Sequence, residues 1–467
     1  MPAVASVDGT STRGLAGWAG SGSGSGSGGC PVRVPAGGGA AAPGGACVRR
    51  ARRAALARAG ERRCTRWLHG LLLAAGLLLA GCGTLPRNAM PAQHALDGTI
   101  PHFADARAWS GQPSSVLEQD LAQSFAQESA TDFPRGPDGV VHYAHLALSG
   151  GGANGAFGAG FLNGWTRTGT RPVFKIVTGV STGALMAPFA FIGPEYDLAL
   201  QQFYTTTSSR DVFLLGSMFG LLWQVFSGEA LADTRPLQAM ISQHVDAELL
   251  RRVADAHRRG RRLYIGTTNL DAPRFVVWNM GVIATSGQPG ALELFRKVML
   301  ASASIPVAFP PVFFDVELEP GGPRYDEMHV DGGVGARVFL NGGVFRGSII
   351  RERAGLGGAG SEDIYVIHNG QLIPQPDPIR RALPAIAGRV IDASGRAMAV
   401  GDLFRIQGYA QHEGGSFRWI TIPREVSMIS EEVFDPQQMS LLYDLGHELG
   451  ATGASAWSTT LPGRRDP

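Results

Sequence analysis

Phe174-Lys175-Ile176-Val177-Thr178 runs directly into Gly179-Val180-Ser181-Thr182-Gly183, and Ala184 to Phe191 follows as an apolar helical stretch. The order predicts a buried strand, a sharp turn and a helix. Gly-x-Ser-x-Gly in that context is the pattern of a nucleophile elbow. Gly179 and Gly183 lack Cβ atoms, so the chain can reverse tightly and push the serine hydroxyl into the open. The helix N-terminus beneath it favours negative charge. Ser181 is therefore a candidate nucleophile. The same letters also suit a glycine-rich strand–helix turn that holds a serine by chance, so the neighbouring segments have to decide.

Upstream, His142 to Leu148 reads as another core strand, ending in Ser149. Gly150-Gly151-Gly152-Ala153-Asn154-Gly155 and an amphipathic stretch, Ala156 to Arg167, come next. Strand, glycine turn and helix again make an anion site, because free N–H groups and the helix dipole meet there. Gly150, Gly152 and Gly155 formally satisfy a dinucleotide fingerprint. That fingerprint wants an acid about 20 residues on, where this chain has Arg171 and Lys175. A serine nucleophile needs a base. In the order Ser, acid, His, the last position falls to His368, His412 or His447. None sits in an evident strand-end loop with a partner, and His447 lies within a helical pattern over 437–449. Farther along, Met328-His329-Val330-Asp331-Gly332-Gly333 sets an acid at the end of a short strand, before two glycines.

The three glycine motifs, in this order, resemble those of the patatin-like phospholipase family. There an oxyanion loop, a Gly-x-Ser-x-Gly elbow and an Asp-Gly-Gly or Asp-Gly-Ala turn follow one another. Ser302-Ala303-Ser304-Ile305-Pro306 through Pro311 is similar to the stretch that precedes the family's acid. The likeness covers roughly residues 142–345. It implies a Ser181–Asp331 dyad without histidine, and an oxyanion hole in the Gly150, Gly151, Gly152, Ala153 and Gly155 loop. Gly179, Gly183, Gly332 and Gly333 are the motif glycines. It implies no cofactor and no metal, and its substrates are phospholipids or other acyl esters. One position departs from the family: Asn154 stands where Arg or Lys is common. An acyltransferase with the same acyl-enzyme, and a catalytically silent lipid-binding envelope lipoprotein, are the alternatives.

Alternating strand and helix signals predict an α/β fold, a mostly parallel sheet with helices on both faces. Strands are expected at 263–268, 274–279, 364–368 and 418–422, and helices at 386–404 and near the C-terminus. The catalytic core is assigned to 141–370, with 371–467 completing the same domain. Arg251 to Arg262 reads as a solvated helix end. The apolar stretch Val212 to Phe226 reads as a buried helix, or else as a lid or pocket wall.

The N-terminal part is of another kind. Residues 1–48 are rich in Gly, Ala and Ser, a composition expected to stay disordered. A basic segment, Arg49 to Arg66, precedes the apolar run Leu68 to Leu79 and Ala80-Gly81-Cys82. This is the plan of an export signal, too short to span a bilayer, which takes about 20 residues. Leu79-Ala80-Gly81-Cys82 resembles the bacterial lipobox. That implies lipidation of Cys82, a membrane anchor and residues 82–140 as a tether. Gly83 after the cysteine favours the outer membrane of the cell envelope. Residues 1–81 hold ten arginines and two acids, a net of +8, against +2 for the whole chain of 467 residues. The remainder carries −6, which does not suit a nucleic-acid partner. With 44% hydrophobic and 17% charged residues, the chain has the material for a sizeable core. All four cysteines (30, 47, 64 and 82) lie in or beside the N-terminal segment.

Overall fold

The apolar runs at 142–148, 174–178, 263–268 and 364–368 lie side by side in one sheet. The computed structural model describes residues 86–212, 214–215, 232–355, 360–374, 376–427 and 434–461. The strands of that sheet are β1 (Arg107–Trp109), β2 (Val141–Leu148), β3 (Phe174–Val180), β4 (Arg262–Asn269), β5 (Arg274–Asn279), β6 (Val312–Glu317), β7 (Arg324–Asp331), β8 (Gly360–His368) and β9 (Phe417–Thr421). Their order is β1-β5-β4-β3-β2-β8-β9, with β7 also on β4 and β6 on β7. From β4 to β9 every pairing is parallel. The flank built from β1, β5, β6 and β7 is antiparallel.

The central strands are buried on both faces, as parallel strands between helical layers must be. In β2, Ala144, Leu146 and Leu148 face one apolar core, while Val141, Tyr143 and Ala147 face the other. The period of two carries the sheet between two cores. The principal helices are α1 (Ser115–Ala126), α2 (Gly155–Arg167), α3 (Thr182–Ile192), α4 (Ala291–Ser302), α5 (Leu383–His412) and α6 (Pro436–Gly450). The first core holds Phe157 and Phe161 of α2, Met186 of α3 and Leu442 of α6. The second holds Leu117 and Leu121 of α1 and Leu403 and Ala410 of α5. The fold is thus α/β with helices on both faces. Helices α2 and α6 touch through glycine: a Cβ on Gly160 would collide with the Tyr443 carbonyl, and one on Gly446 with the Phe157 carbonyl.

Two expectations need correction. Residues 86–140 are no loose tether. Met90, Ile100, Phe103, Leu117, Leu121 and Phe125 are buried, and β1 extends the sheet beside β5. Arg107 Nη1 lies 2.6 Å from Glu327 Oε2, with both side chains buried. Ser114 caps α1 by accepting from the Leu117 N–H. Nor is the end of the charged stretch solvated. The helix Ala247–Arg258 is polar outside, but Arg261 and Arg262 are buried. Arg262 Nε donates to Asp120 Oδ2 at 2.6 Å, and Nη2 to the Asp120 carbonyl at 2.7 Å. Such a pair belongs to the interior, where a lone charge would be costly. Cys82 and its signal lie outside the described residues, as does most of Val212 to Phe226.

Candidate active site

Strand β4 brings the candidate nucleophile and the candidate base together. It pairs in parallel with β3 as far as Val180 opposite Gly266. One residue farther along, β7 takes over on β4, with Asp331 opposite Thr267. Ser181 follows Val180, so the Gly266–Thr267 step delivers Ser181 and Asp331 to neighbouring positions from strands of opposite direction.

The turn after β3 has the strain of an elbow. Ser181 sits at φ 55° and ψ −125°, a region that a non-glycine residue occupies at a cost of about 1–3 kcal/mol. Its surroundings hold it there. The Ser181 N–H donates to Ser302 Oγ at 3.0 Å, and that hydroxyl donates to the Gly266 carbonyl at 2.6 Å. The glycines of the motif are required by close approach. A Cβ on Gly179 would strike the Gly183 carbonyl, and one on Gly183 the Leu148 carbonyl. Gly332 likewise lies against the Gly266 carbonyl, and Gly333 donates its N–H to Asp331 Oδ1 at 2.7 Å. The Asp331 N–H donates to the Ser304 carbonyl at 2.8 Å. The Ser302–Ser304 segment thus fixes both halves of the pair.

Asp331 is buried, and that burial pushes its pKa up to about 6. The Ser181 hydroxyl, the Gly333 N–H and the Arg337 charge pull the other way. Ser181 is close enough to act on the carboxyl, yet Oδ2 is buried without a hydrogen-bond partner of good geometry. The carboxyl therefore keeps one oxygen free for a proton, and its raised pKa makes it a stronger base than an exposed aspartate.

The glycine loop lies on the other side of Ser181. A Cβ on Gly150 would stand 3.1 Å from Ser181 Cβ. Two of the five loop N–H groups are already engaged. Gly150 donates to the Arg337 carbonyl at 3.0 Å, and Gly155 to the carbonyls of Gly152 and Ala153. These two residues shape the loop and do not supply free donors. Among the described residues, the N–H groups of Gly151, Gly152 and Ala153 have no acceptor, so they are the loop's available donors. Asn154 begins α2 without a side-chain cap.

Sequence reasoning missed Asn369. Its N–H donates to Ser149 Oγ at 2.8 Å and its Nδ2 to the Ser149 carbonyl at 2.9 Å. A Cβ on Gly151 would collide with the Asn369 carbonyl. Asn369 thereby clamps the loop from the end of β8. The only signal was its place, directly after a strand that ends beside β2. His368, its neighbour, is buried and pushed down to about 4 by desolvation, with the Arg337 charge acting in the same sense. No hydrogen bond joins it to Ser181 or Asp331. His412 is exposed on α5, and His447 stacks on Tyr443 of α6. None of the three histidines extends the pair to a triad.

A cavity of about 440 Å³, including its open mouth, begins at Ser181 and Gly152. Its walls are apolar, among them Leu185, Phe203, Leu237, Met240, Ile305 and Phe309. Tyr204 seals one side by donating to the Thr182 carbonyl at 2.8 Å.

Residues 146–341 match the family model described as patatin-like phospholipase. The matched stretch holds both Ser181 and Asp331, and the enzyme is a serine hydrolase whose chemistry is lipid acyl hydrolysis. Among solved structures it is similar to VipD from Legionella pneumophila, at 14% identity and a TM-score of 0.35, over 69% of this chain and 69% of that one. It is also similar to human GIVD cytosolic phospholipase A2, at 11% identity and a TM-score of 0.32, over 67% and 54% of the two chains. No curated protein matches it.

Proposed function

We propose that the patatin-like domain hydrolyses membrane acyl esters through a Ser181–Asp331 dyad. The observation that carries this reading is the Gly266–Thr267 step of β4, which sets a strained serine beside a buried carboxyl with one free oxygen. Ser181 Oγ attacks the ester carbonyl carbon while its proton passes to Asp331 Oδ2. The carbonyl oxygen becomes an oxyanion facing the N–H groups of Gly151, Gly152 and Ala153. One such donor is commonly worth about 3–4 kcal/mol. Collapse of the intermediate breaks the ester C–O bond, and the departing alkoxide takes the proton back from Asp331. Water then attacks the acyl-enzyme, giving its proton to Asp331, and Ser181 recovers that proton as the fatty acid leaves. The apolar cavity takes the acyl chain, since it starts at Ser181 and contains little to hydrogen-bond.

Turnover of a short p-nitrophenyl ester and of phospholipid by Ser181→Ala, Asp331→Asn and His368→Ala tests the dyad. Ser181→Ala is expected to be inactive, Asp331→Asn to fall by about a hundredfold or more, and His368→Ala to keep activity. Loss of activity in His368→Ala would point to a triad and overturn the proposal.

We further propose that Cys82 is the lipidated N-terminus of an envelope lipoprotein, directed to the outer membrane. The support is the basic segment, the apolar run and Leu79-Ala80-Gly81-Cys82. Mass spectrometry of the mature N-terminus decides: an unmodified cysteine refutes the anchor.

A further inference from the structure

Helix α5 has two halves that behave differently. From Gly395 on, it packs against the sheet through Ala399, Leu403, Ile406 and Ala410, all buried at helical spacing. From Leu383 to Ser394, three turns, no described residue is buried. That half is nevertheless apolar. Leu383 is 79% exposed, Ile386 46%, Val390 58% and Ile391 65%. Its only charged residues are Arg389 and Asp392.

An isolated helix of this length is marginal in water, and a run of exposed aliphatic side chains marks an interaction site. The charges around it say what the partner is. Between residues 373 and 396 stand Arg380, Arg381, Arg389 and Arg396 against Asp377 and Asp392, on a chain that nets −6 after residue 81. Arg389 pairs with Asp377 and Arg396 with Asp392. The side chains of Arg380 and Arg381 have no partner among the described residues, and these two carry the local excess of positive charge. Aliphatic side chains with unpaired arginines beside them fit the boundary of an anionic bilayer, where the apolar face enters the acyl layer and the guanidinium groups meet lipid phosphates. No helix among the described residues is long and apolar enough to cross a membrane, so α5 lies on the surface. Its root is at the active site: a Cβ on Gly395 would collide with the Arg337 guanidinium, which acts on Asp331.

We infer that the first three turns of α5, with Arg380 and Arg381, form a docking surface for anionic phospholipid bilayers, which brings the Ser181 cleft to its substrate. The inference rests on the lipid-hydrolase reading, and its test separates the two. The full-length protein is compared with Leu383→Ser/Val390→Ser/Ile391→Ser and with Arg380→Glu/Arg381→Glu. Substrates are a dispersed short-chain p-nitrophenyl ester and vesicles of phosphatidylglycerol mixed with phosphatidylcholine. Both variants should hydrolyse the dispersed ester as the parent does. On the anionic vesicles each should lose roughly tenfold or more, the serine variant through its lost apolar face and the glutamate variant through repulsion from the lipid phosphates. The parent should lose the same advantage on pure phosphatidylcholine. If the parent fails on the dispersed ester, the hydrolase reading is at fault. If the serine variant fails on it, the charge variant alone decides. Undiminished vesicle hydrolysis by the variants overturns the docking surface. A parent dimer that the serine substitutions split, with vesicle hydrolysis retained, overturns it in favour of a second copy of this chain.

Discussion

Replacing Asp331 with Asn removes a charge from the interior while keeping most of the local bonding. Oδ1 still accepts from the Gly333 N–H at 2.7 Å, and the new amide group replaces the oxygen that lacked a partner. The carboxyl is raised from 3.8 to about 6 in the folded chain, chiefly by burial. Below pH 3.8 both folded and unfolded chains hold the proton, and the group is neutral to stability. As pH rises through 3.8 the unfolded chain ionises first, so stability falls until the folded group ionises near 6. A shift of about two units corresponds to about 3 kcal/mol, at about 1.4 kcal/mol per unit. Asp331→Asn should therefore be more stable than the parent above pH 6, by up to about 3 kcal/mol, and the gain should vanish below pH 4. Denaturant unfolding of both proteins between pH 4 and 8 measures it. Turnover should meanwhile fall by about a hundredfold or more, the usual scale for losing a general base. An equal stability difference at pH 4 and pH 8 would refute the assignment of a raised, buried carboxyl.

Three further outcomes follow from the same geometry. Ser302→Ala strips the Ser181 N–H of its acceptor, which costs about 1–3 kcal/mol for a buried donor; kcat should fall about ten- to hundredfold with fluorophosphonate labelling of Ser181 slowed in parallel. Arg337→Gln removes a charge that lowers the Asp331 pKa. The acid limb of kcat/KM, expected near pH 6 in the parent, should move to higher pH, and an unmoved limb would contradict the role. Met240→Trp partly fills the cavity beyond Ser181, so the preferred acyl chain in an ester series should shorten while short esters are still cleaved.

The parallel strands and both turns were legible because their signals are local. A buried parallel strand is a continuous apolar run, and a turn of this sharpness needs glycine at fixed offsets. Gly179, Gly183, Gly332 and Gly333 each lie against a backbone or side-chain neighbour that leaves little room for a side chain. Residues 86–140 were misread because their prolines and polar residues hide partners far along the chain. Arg107 needs Glu327, and Arg262 needs Asp120, pairings that no local pattern announces. The same holds for Asn369, whose hold on Ser149 spans 220 residues. The glycine loop was legible as a turn between a strand and a helix, but its engaged and free N–H groups were not separable in sequence. Only the observed acceptors of Gly150 and Gly155 distinguish them from Gly151, Gly152 and Ala153.

The central claim is that Ser181 forms the covalent intermediate with Asp331 as its base. Incubation with a fluorophosphonate, followed by peptide mass mapping in the parent and in Asp331→Asn, tests it most directly. One adduct per chain on Ser181, formed rapidly in the parent with a rate that rises through pH 6 and slowly in Asp331→Asn, is the predicted result. An adduct on another residue, or labelling of Ser181 at the same rate without the carboxylate, would contradict it.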